Sequence, residues 1–303
     1  ASSRARAADG GASGRGVTSA TPFWVRVMAG WPLPLLLFVG RCFGCLLWVF
    51  AHRRRHIVQT NLRLCFPEQS TAERRALVRA VFVTFAQSLL DRAWLWHGPE
   101  DLVRRRLQIT GDLSWLRSDG AKVLFAPHFV GLDAGWTALT LSVPRLFATI
   151  YARQKRSSLD AWVANGRSRF GAPTLLNKQD AGRPTARTMR AGAALYVLPD
   201  MDLGARDAVF VPFFGVPAAT VTSLSRFATI GRCAVATVVT RLTPYGYEVS
   251  IEPSWDGFPS EDAVADARRM NRVLEALVRS APAQYHWTHK RFKTRPEGEA
   301  SVY

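Results

Sequence analysis

The chain has 303 residues, 48% of them hydrophobic and 21% charged, with 40 Lys+Arg against 23 Asp+Glu for a net charge of +17. That apolar content excludes a disordered chain, and four cysteines at 42, 45, 65 and 233 give no disulfide framework. A mean hydropathy of −0.01 beside a pI near 10.9 is more apolar than nucleic-acid binders usually are, and suits a partner both anionic and greasy, as a membrane surface is. Only five of the 40 cations are lysine. Arginine's fork suits bidentate phosphate contacts, and a GC-rich genome produces the same bias.

In chain order, residues 1–20 are Ala/Ser/Gly/Arg without an apolar pattern and read as a disordered tail. Phe23 to Ala51 is dominated by apolar residues, is interrupted by Arg41, and runs directly into His52-Arg53-Arg54-Arg55-His56. Crossing a bilayer takes about 20 apolar residues. Residues 21–56 therefore read as a membrane anchor with a basic flank, either one tilted span kinked at Pro32 and Pro34 or a re-entrant or interfacial segment. The positive-inside rule assigns the arginine cluster to the cytoplasmic side. A cleaved signal peptide fits poorly, because the apolar stretch is long and no small-residue cleavage site precedes the basic cluster.

The globular part follows. Ser70-Thr71-Ala72-Glu73 is a capping-box pattern, and Val78, Phe82, Phe85 and Leu89 recur at helical spacing behind it. Strands are expected at Val123–Ala126, Leu146–Tyr151, Ala194–Leu198 and Val235–Thr240. Helices are expected at Ala134–Leu141, Leu159–Phe170, Thr220–Ile230 and Ala263–Ser280. This alternation predicts an α/β fold: one domain over 57–303 with a mixed, mostly buried sheet flanked by helices.

No P-loop, H-E-x-x-H or G-x-S-x-G pattern is present. Cys42-Phe43-Gly44-Cys45 lies inside the apolar run without a partner pair, and His286 and His289 lack a third ligand nearby in sequence, so no metal site is expected. The informative segment is Val123 to Asp133, in which a β-rich run meets Pro127 and His128, with Gly131 and Asp133 before an apolar helix. On one continuous helix His128 and Asp133 would face about 140° apart. They meet only if the chain bends at Pro127 and Gly131. The pair then reads as a general base with its carboxylate at a strand's C-terminal end, where open α/β sheets place ligands. The alternative is an N-cap aspartate beside an ordinary histidine.

The H-x4-D of His128 and Asp133 resembles the motif of the glycerolipid acyltransferases, and its surroundings resemble the late acyltransferases of lipid A biosynthesis. The matching blocks are Asn61 to Glu68, Tyr151-Ala152-Arg153, Asn165-Gly166-Arg167, Pro199 to Gly204, Val209 to Gly215 and Arg291 to Gly298, in order over most of the chain. The stretch Arg153 to Ser157 is more basic than the family's usual Arg-Pro-x-x-Asn-Pro-like segment. The resemblance implies transfer of a fatty acyl chain from acyl carrier protein to a hydroxyl of a hydroxyacyl chain on a Kdo-bearing lipid A precursor. It implies a glycerolipid acyltransferase-like fold, an enzyme at the bacterial inner membrane with its catalytic domain on the cytoplasmic side, direct transfer without a cofactor, and no nucleic-acid partner. His128 and Asp133 would be the catalytic pair. Arg167 would stabilise the oxyanion or clamp a phosphate. Arg153, with Arg156 and Arg169, would meet the acceptor's phosphates and acidic sugars, and Asp200 would order an arginine there. Phe210 to Phe214 would line the acyl groove or form a buried strand. Two rival readings are a related enzyme acting on a glycolipid or ornithine lipid, and a non-catalytic basic protein that binds nucleic acid or anionic membrane.

Overall fold

The computed structural model describes Thr21, residues 23–179 and residues 182–303. The tail expected over 1–20 lies outside the described residues. The apolar run forms two helices rather than one rod, because Gly30 to Pro32 separates α1 (Phe23–Ala29) from α2 (Leu33–Phe50). The arginine cluster opens α3 (His52–Cys65). The capping box is formed at the start of α4 (Thr71–His97): the Glu73 N–H donates to Ser70 Oγ at 3.2 Å and the Ser70 N–H to Glu73 Oε2 at 2.7 Å.

The chain continues through α5 (Glu100–Arg106), β1 (Leu107–Gly111), α6 (Leu113–Arg117), β2 (Lys122–Phe125), α7 (Leu132–Ser142) and β3 (Phe147–Tyr151). Then come α8 (Ser157–Arg167), β4 (Thr174–Asn177), α9 (Gly182–Arg190) and β5 (Ala194–Val197). The hairpin β6 (Ala208–Phe213) and β7 (Val216–Val221), α10 (Ser223–Gly231), β8 (Val235–Thr243), β9 (Gly246–Ser254) and α11 (Ala263–Ser280) complete it. The helix expected from Thr220 starts only at Ser223. Thr220 and Val221 finish β7, and the buried Thr220 hydroxyl accepts from Arg291 and Asn271; β-branched residues suit that pleated, packed position.

Seven strands form one sheet in the order β1-β9-β8-β2-β5-β3-β4, and β6 and β7 pair separately. β8, β2, β5, β3 and β4 are parallel, β9 is antiparallel to β8, and β1 is parallel to β9. The expected α/β class with a mixed sheet is what forms. Alternate side chains feed two cores. Val123, Phe125, Leu195 and Val197 pack with α9, α10 and α11 on one face. Leu124, Ala126 and Tyr196 pack with α7, the C-terminal half of α4 and α1 on the other. A sheet buried on both faces reads as continuous apolar runs, as these strands do.

Helix α4 fixes how the apolar N-terminus meets the domain. A β-carbon at Gly44 would come within 2.5 Å of Val83 Cα, and one at Gly40 within 2.1 Å of Gln87 Oε1, so the two glycines let α2 lie directly on α4. Nine residues on from Val83, half a turn round the helix at 100° per residue, Arg92 reaches the His128–Asp133 region. The Phe85 ring lies tilted, 5.9 Å from that of His286, on that same side. Helix α4 thus carries the apolar helix on one face and closes the end of the sheet with the other. The outer surface of α1 and α2 leaves Phe23, Trp24, Phe38, Leu46 and Phe50 exposed.

Candidate active site

Strands β2 and β5 are parallel neighbours, with Phe125 opposite Val197. Each continues into an apolar residue and a proline: Ala126-Pro127 after β2 and Leu198-Pro199 after β5. Proline extends the chain and cannot continue the ladder, so the register is carried three residues beyond the strands. There His128 and Asp200 stand side by side. The imidazole Nδ1 and Asp200 Oδ1 are 2.7 Å apart, and the His128 backbone N–H donates to Asp200 Oδ2 at 3.0 Å. The Asp200 side chain is fully buried while His128 remains partly exposed at 19%. Burial alone would raise the Asp200 pKa, but the charge and hydrogen bonds of His128 outweigh it and hold it at about 2. This places an ionised carboxylate behind one nitrogen of a histidine whose ring reaches solvent.

The expected pairing of His128 with Asp133 is therefore replaced by another. Asp133, in the first turn of α7, is buried and faces two guanidinium groups: Arg167 Nε at 2.8 Å on Oδ1, and Arg92 Nε at 3.0 Å with Nη2 at 2.8 Å on Oδ2. Burial raises its pKa, yet the charges of Arg167 and Arg92 prevail and keep it below the usual carboxylate range. A carboxylate this enclosed needs opposite charge, and the two arginines supply it from α8 and α4. The partners expected for the two aspartates are exchanged: Asp200 contacts the histidine rather than an arginine, and Asp133 pairs with arginines rather than the histidine.

The C-terminal segment encloses the site. The His286 N–H donates to the His128 carbonyl at 2.9 Å, and the Val130 N–H to the Gln284 carbonyl at 2.8 Å. Asn61 Nδ2 ties this segment to α3 through the carbonyls of Trp287 and His289, both at 2.8 Å. Tyr303 links the Asn61 and Arg291 blocks, its hydroxyl accepting the Phe292 N–H at 3.1 Å and donating to Asn61 Oδ1, although 230 residues separate the blocks in the chain. His286 and His289 are enclosed, and burial first and neighbouring positive charge second push their pKa values down to about 3 and about 4. His289 Nε2 accepts the Asp202 N–H at 3.0 Å, so its lone pair is occupied. Among the described residues no cluster of three His, Cys, Asp or Glu is placed to hold a metal ion.

The remaining expected residues divide. Arg153 and Arg156 are exposed in the loop after β3, at the same end of the sheet as His128. Arg169 instead donates to the carbonyls of Leu95 and Gly98 and anchors the end of α4, so its guanidinium is engaged by backbone rather than held open for phosphate. Phe213 packs against Phe214, Tyr285 and Phe292 inside the core, so residues 210–213 lie in β6 with Val211 and Phe213 buried, while Phe210 and Pro212 face outward. Sequence reading missed Arg92. Its signal was its place on α4, half a turn from the glycine-facing side.

The sequence matches the family model of bacterial lipid A biosynthesis acyltransferases over residues 13–294. It is 32% identical to a lipid A biosynthesis palmitoleoyltransferase of Escherichia coli K12, over 92% of this chain and 90% of that protein. The lauroyltransferase of the same organism is 32% identical, covering 90% of each chain, and the myristoyltransferase 33%, covering 89% of this chain and 83% of its own. Near-equal similarity to enzymes named for three different acyl chains selects no chain length. A family match over most of the chain, together with a histidine–carboxylate pair at the strand ends, settles the class: this chain belongs to the bacterial lipid A biosynthesis acyltransferases and is an acyltransferase acting on a lipid A precursor.

Proposed function

We propose that the enzyme transfers a fatty acyl group directly from acyl carrier protein to a hydroxyl on a hydroxyacyl chain of a Kdo-bearing lipid A precursor, with His128 as general base. The supporting observation is the 2.7 Å contact between His128 Nδ1 and the buried, ionised Asp200. With Nδ1 carrying its proton toward the carboxylate, Nε2 presents a lone pair to the acceptor. Nε2 takes the hydroxyl proton as the oxygen attacks the thioester carbonyl. The tetrahedral adduct collapses, the carbon–sulfur bond breaks, and the imidazolium returns the proton to the departing thiolate. No cofactor enters this sequence. Asp133 holds Arg167 through Nε, leaving that guanidinium's terminal N–H groups to stabilise the oxyanion or clamp an acceptor phosphate. Arg153 and Arg156 meet the acceptor's anionic groups.

The apolar outer face of α1 and α2 rests on the bacterial inner membrane at the end of the domain that carries His128, with the catalytic domain on the cytoplasmic side. An 18-residue helix is about 27 Å long, shorter than the ~30 Å hydrocarbon core. One of its faces is occupied by α4, so it suits an interfacial position better than a span. The acceptor then reaches the site without leaving the bilayer surface. Mass spectrometry of lipid A from cells lacking the gene, complemented with the wild type or with His128→Ala, tests the reading. The acyl group should return only with the wild type. Restoration by folded His128→Ala overturns the base assignment, and unchanged lipid A in the deletion overturns the acceptor.

A further inference from the structure

The turn between His128 and Asp133 rests on side chains from β8, β9 and β5. Gly131 is the N-terminal cap of α7, at φ −85° and ψ 11°, and this negative φ does not call for glycine. Proximity does. A β-carbon at Gly131 would come within 2.7 Å of Thr240 Cγ2 on β8, 2.8 Å of Tyr247 Cδ1 and 2.9 Å of Tyr247 Cε1 on β9. One turn further along α7, a β-carbon at Gly135 would overlap Thr240 Oγ1 and lie 3.1 Å from the Tyr196 hydroxyl. That hydroxyl donates to the Leu132 carbonyl at 3.1 Å.

The Tyr247 ring is held in place from the other side. It is buried, and its hydroxyl donates to Asp91 Oδ2 at 2.8 Å. Asp91, also buried, on α4, accepts on Oδ1 from Gln87 Nε2 at 2.8 Å and from Trp94 Nε1 at 2.9 Å. Three donors on one buried carboxylate fix it, and through it the ring. Asp91 immediately precedes Arg92, which holds Asp133 Oδ2. Adjacent residues of α4 therefore grip the turn from two directions: Arg92 through the carboxylate of Asp133, and Asp91 through the Tyr247 ring against Gly131. His128 lies three residues before Gly131, and its Nδ1 meets Asp200 Oδ1 at 2.7 Å.

We propose that Tyr247 is a positioning residue for the acyl transfer: its ring, tethered by Asp91, sets the height of the Gly131 turn and with it the placement of His128 against Asp200. This rests on the assignment of His128 as the base. Carbon atoms pack at about 3.5 Å or more, so a methyl group at position 131 must lift the turn by roughly 0.5–1 Å. A misplacement of about 1 Å can cost about 10² in rate. Tyr247 and Asp91 are both buried, so their effect falls on turnover and not on substrate binding.

The test uses the full-length enzyme with a carrier-bound acyl donor and a lipid A precursor in detergent micelles, and reads kcat, KM and the melting temperature. Gly131→Ala should lower kcat about 10²-fold, with KM for both substrates hardly changed. Thr240→Ser/Tyr247→Leu removes the methyl group and the ring that the new β-carbon strikes. Alone it lowers kcat; combined with Gly131→Ala it should raise kcat about tenfold above that of Gly131→Ala, whereas independent structural defects would add. Tyr247→Phe keeps the ring and frees it from Asp91, and should lower kcat about fivefold at unchanged KM, the worth of one hydrogen bond. Wild-type kcat in Gly131→Ala, or a triple variant that recovers melting temperature but not kcat, overturns the proposal. Should Gly131→Ala fail to fold, Tyr247→Phe decides, and an unaltered kcat there overturns it. Folded His128→Ala with wild-type kcat overturns the base assignment itself, whatever the Gly131 series gives.

Discussion

Replacing Asp200 by asparagine keeps the side-chain volume and removes one charge and one acceptor from a fully buried position. In the wild type two donors converge on that carboxylate, the His128 backbone N–H at 3.0 Å and the ring Nδ1 at 2.7 Å. Asparagine offers one carbonyl oxygen and an NH2 group. If its oxygen keeps the backbone N–H, its NH2 faces Nδ1, and the ring must turn a lone pair toward it. The proton then sits on Nε2, the atom that should accept the acceptor hydroxyl's proton. The base is present in the wrong tautomer and lacks the charge that stabilised its imidazolium. Loss of general-base assistance is worth about 10²–10⁴ in rate, and the corresponding Asp→Asn change in a serine-protease triad costs about 10⁴. An expected fall of about 10³ in kcat corresponds to about 4 kcal/mol of transition-state stabilisation. Purified enzyme assayed with a carrier-bound acyl donor and a lipid A precursor in detergent micelles measures it, with circular dichroism confirming the fold. KM for the acceptor should hardly move, because Asp200 touches no substrate. A folded Asp200→Asn enzyme with near wild-type kcat would refute the assignment of Asp200 as the residue that orients the base.

Asp133→Asn should act differently, since it frees Arg92 and Arg167 from a shared anchor: turnover falls or acceptor KM rises, and a dephosphorylated acceptor masks the defect only if the arginines clamp phosphate. The same change removes a buried charge partner of two guanidinium groups, so it should also lower the melting temperature. Phe38→Asp/Leu46→Asp, on the exposed side of α2, should shift the protein from sedimenting with anionic vesicles toward the supernatant while leaving the melting temperature unaltered; retained sedimentation in high salt refutes the interfacial position. His286 and His289 stay neutral in the fold well below the ordinary histidine pKa of about 6.5. The unfolded chain takes up those protons first, so stability present above about pH 6.5 should decline as the pH falls toward 4. His289→Gln should flatten that decline in a series of melts between pH 7 and pH 5.

Much of this protein is legible in its local sequence. The capping box at Ser70, the strands around Leu124, Leu195 and Val238, and the amphipathic helix from Ala263 all follow from local periodicity and end signals. Those features depend on residues a few positions apart, and they formed where the pattern put them. His128 was legible as well, because a proline-terminated β-run marks a strand end wherever the strand lies. Which carboxylate serves it was not. Asp133 is five residues away and Asp200 seventy-two, but separation along the chain does not measure distance in a sheet. The β2–β5 pairing brings Pro127-His128 and Pro199-Asp200 level, and that register exists only once β5 inserts between β2 and β3. The orientation of Asp133 was likewise decided by α4 and α8, which deliver Arg92 and Arg167 to a carboxylate too deeply buried to remain unpaired. The sequence determined that the apolar run exists and that prolines break it. Its position against α4 followed from two glycines meeting Val83 and Gln87, a fit between helices about forty residues apart that only their packing could set.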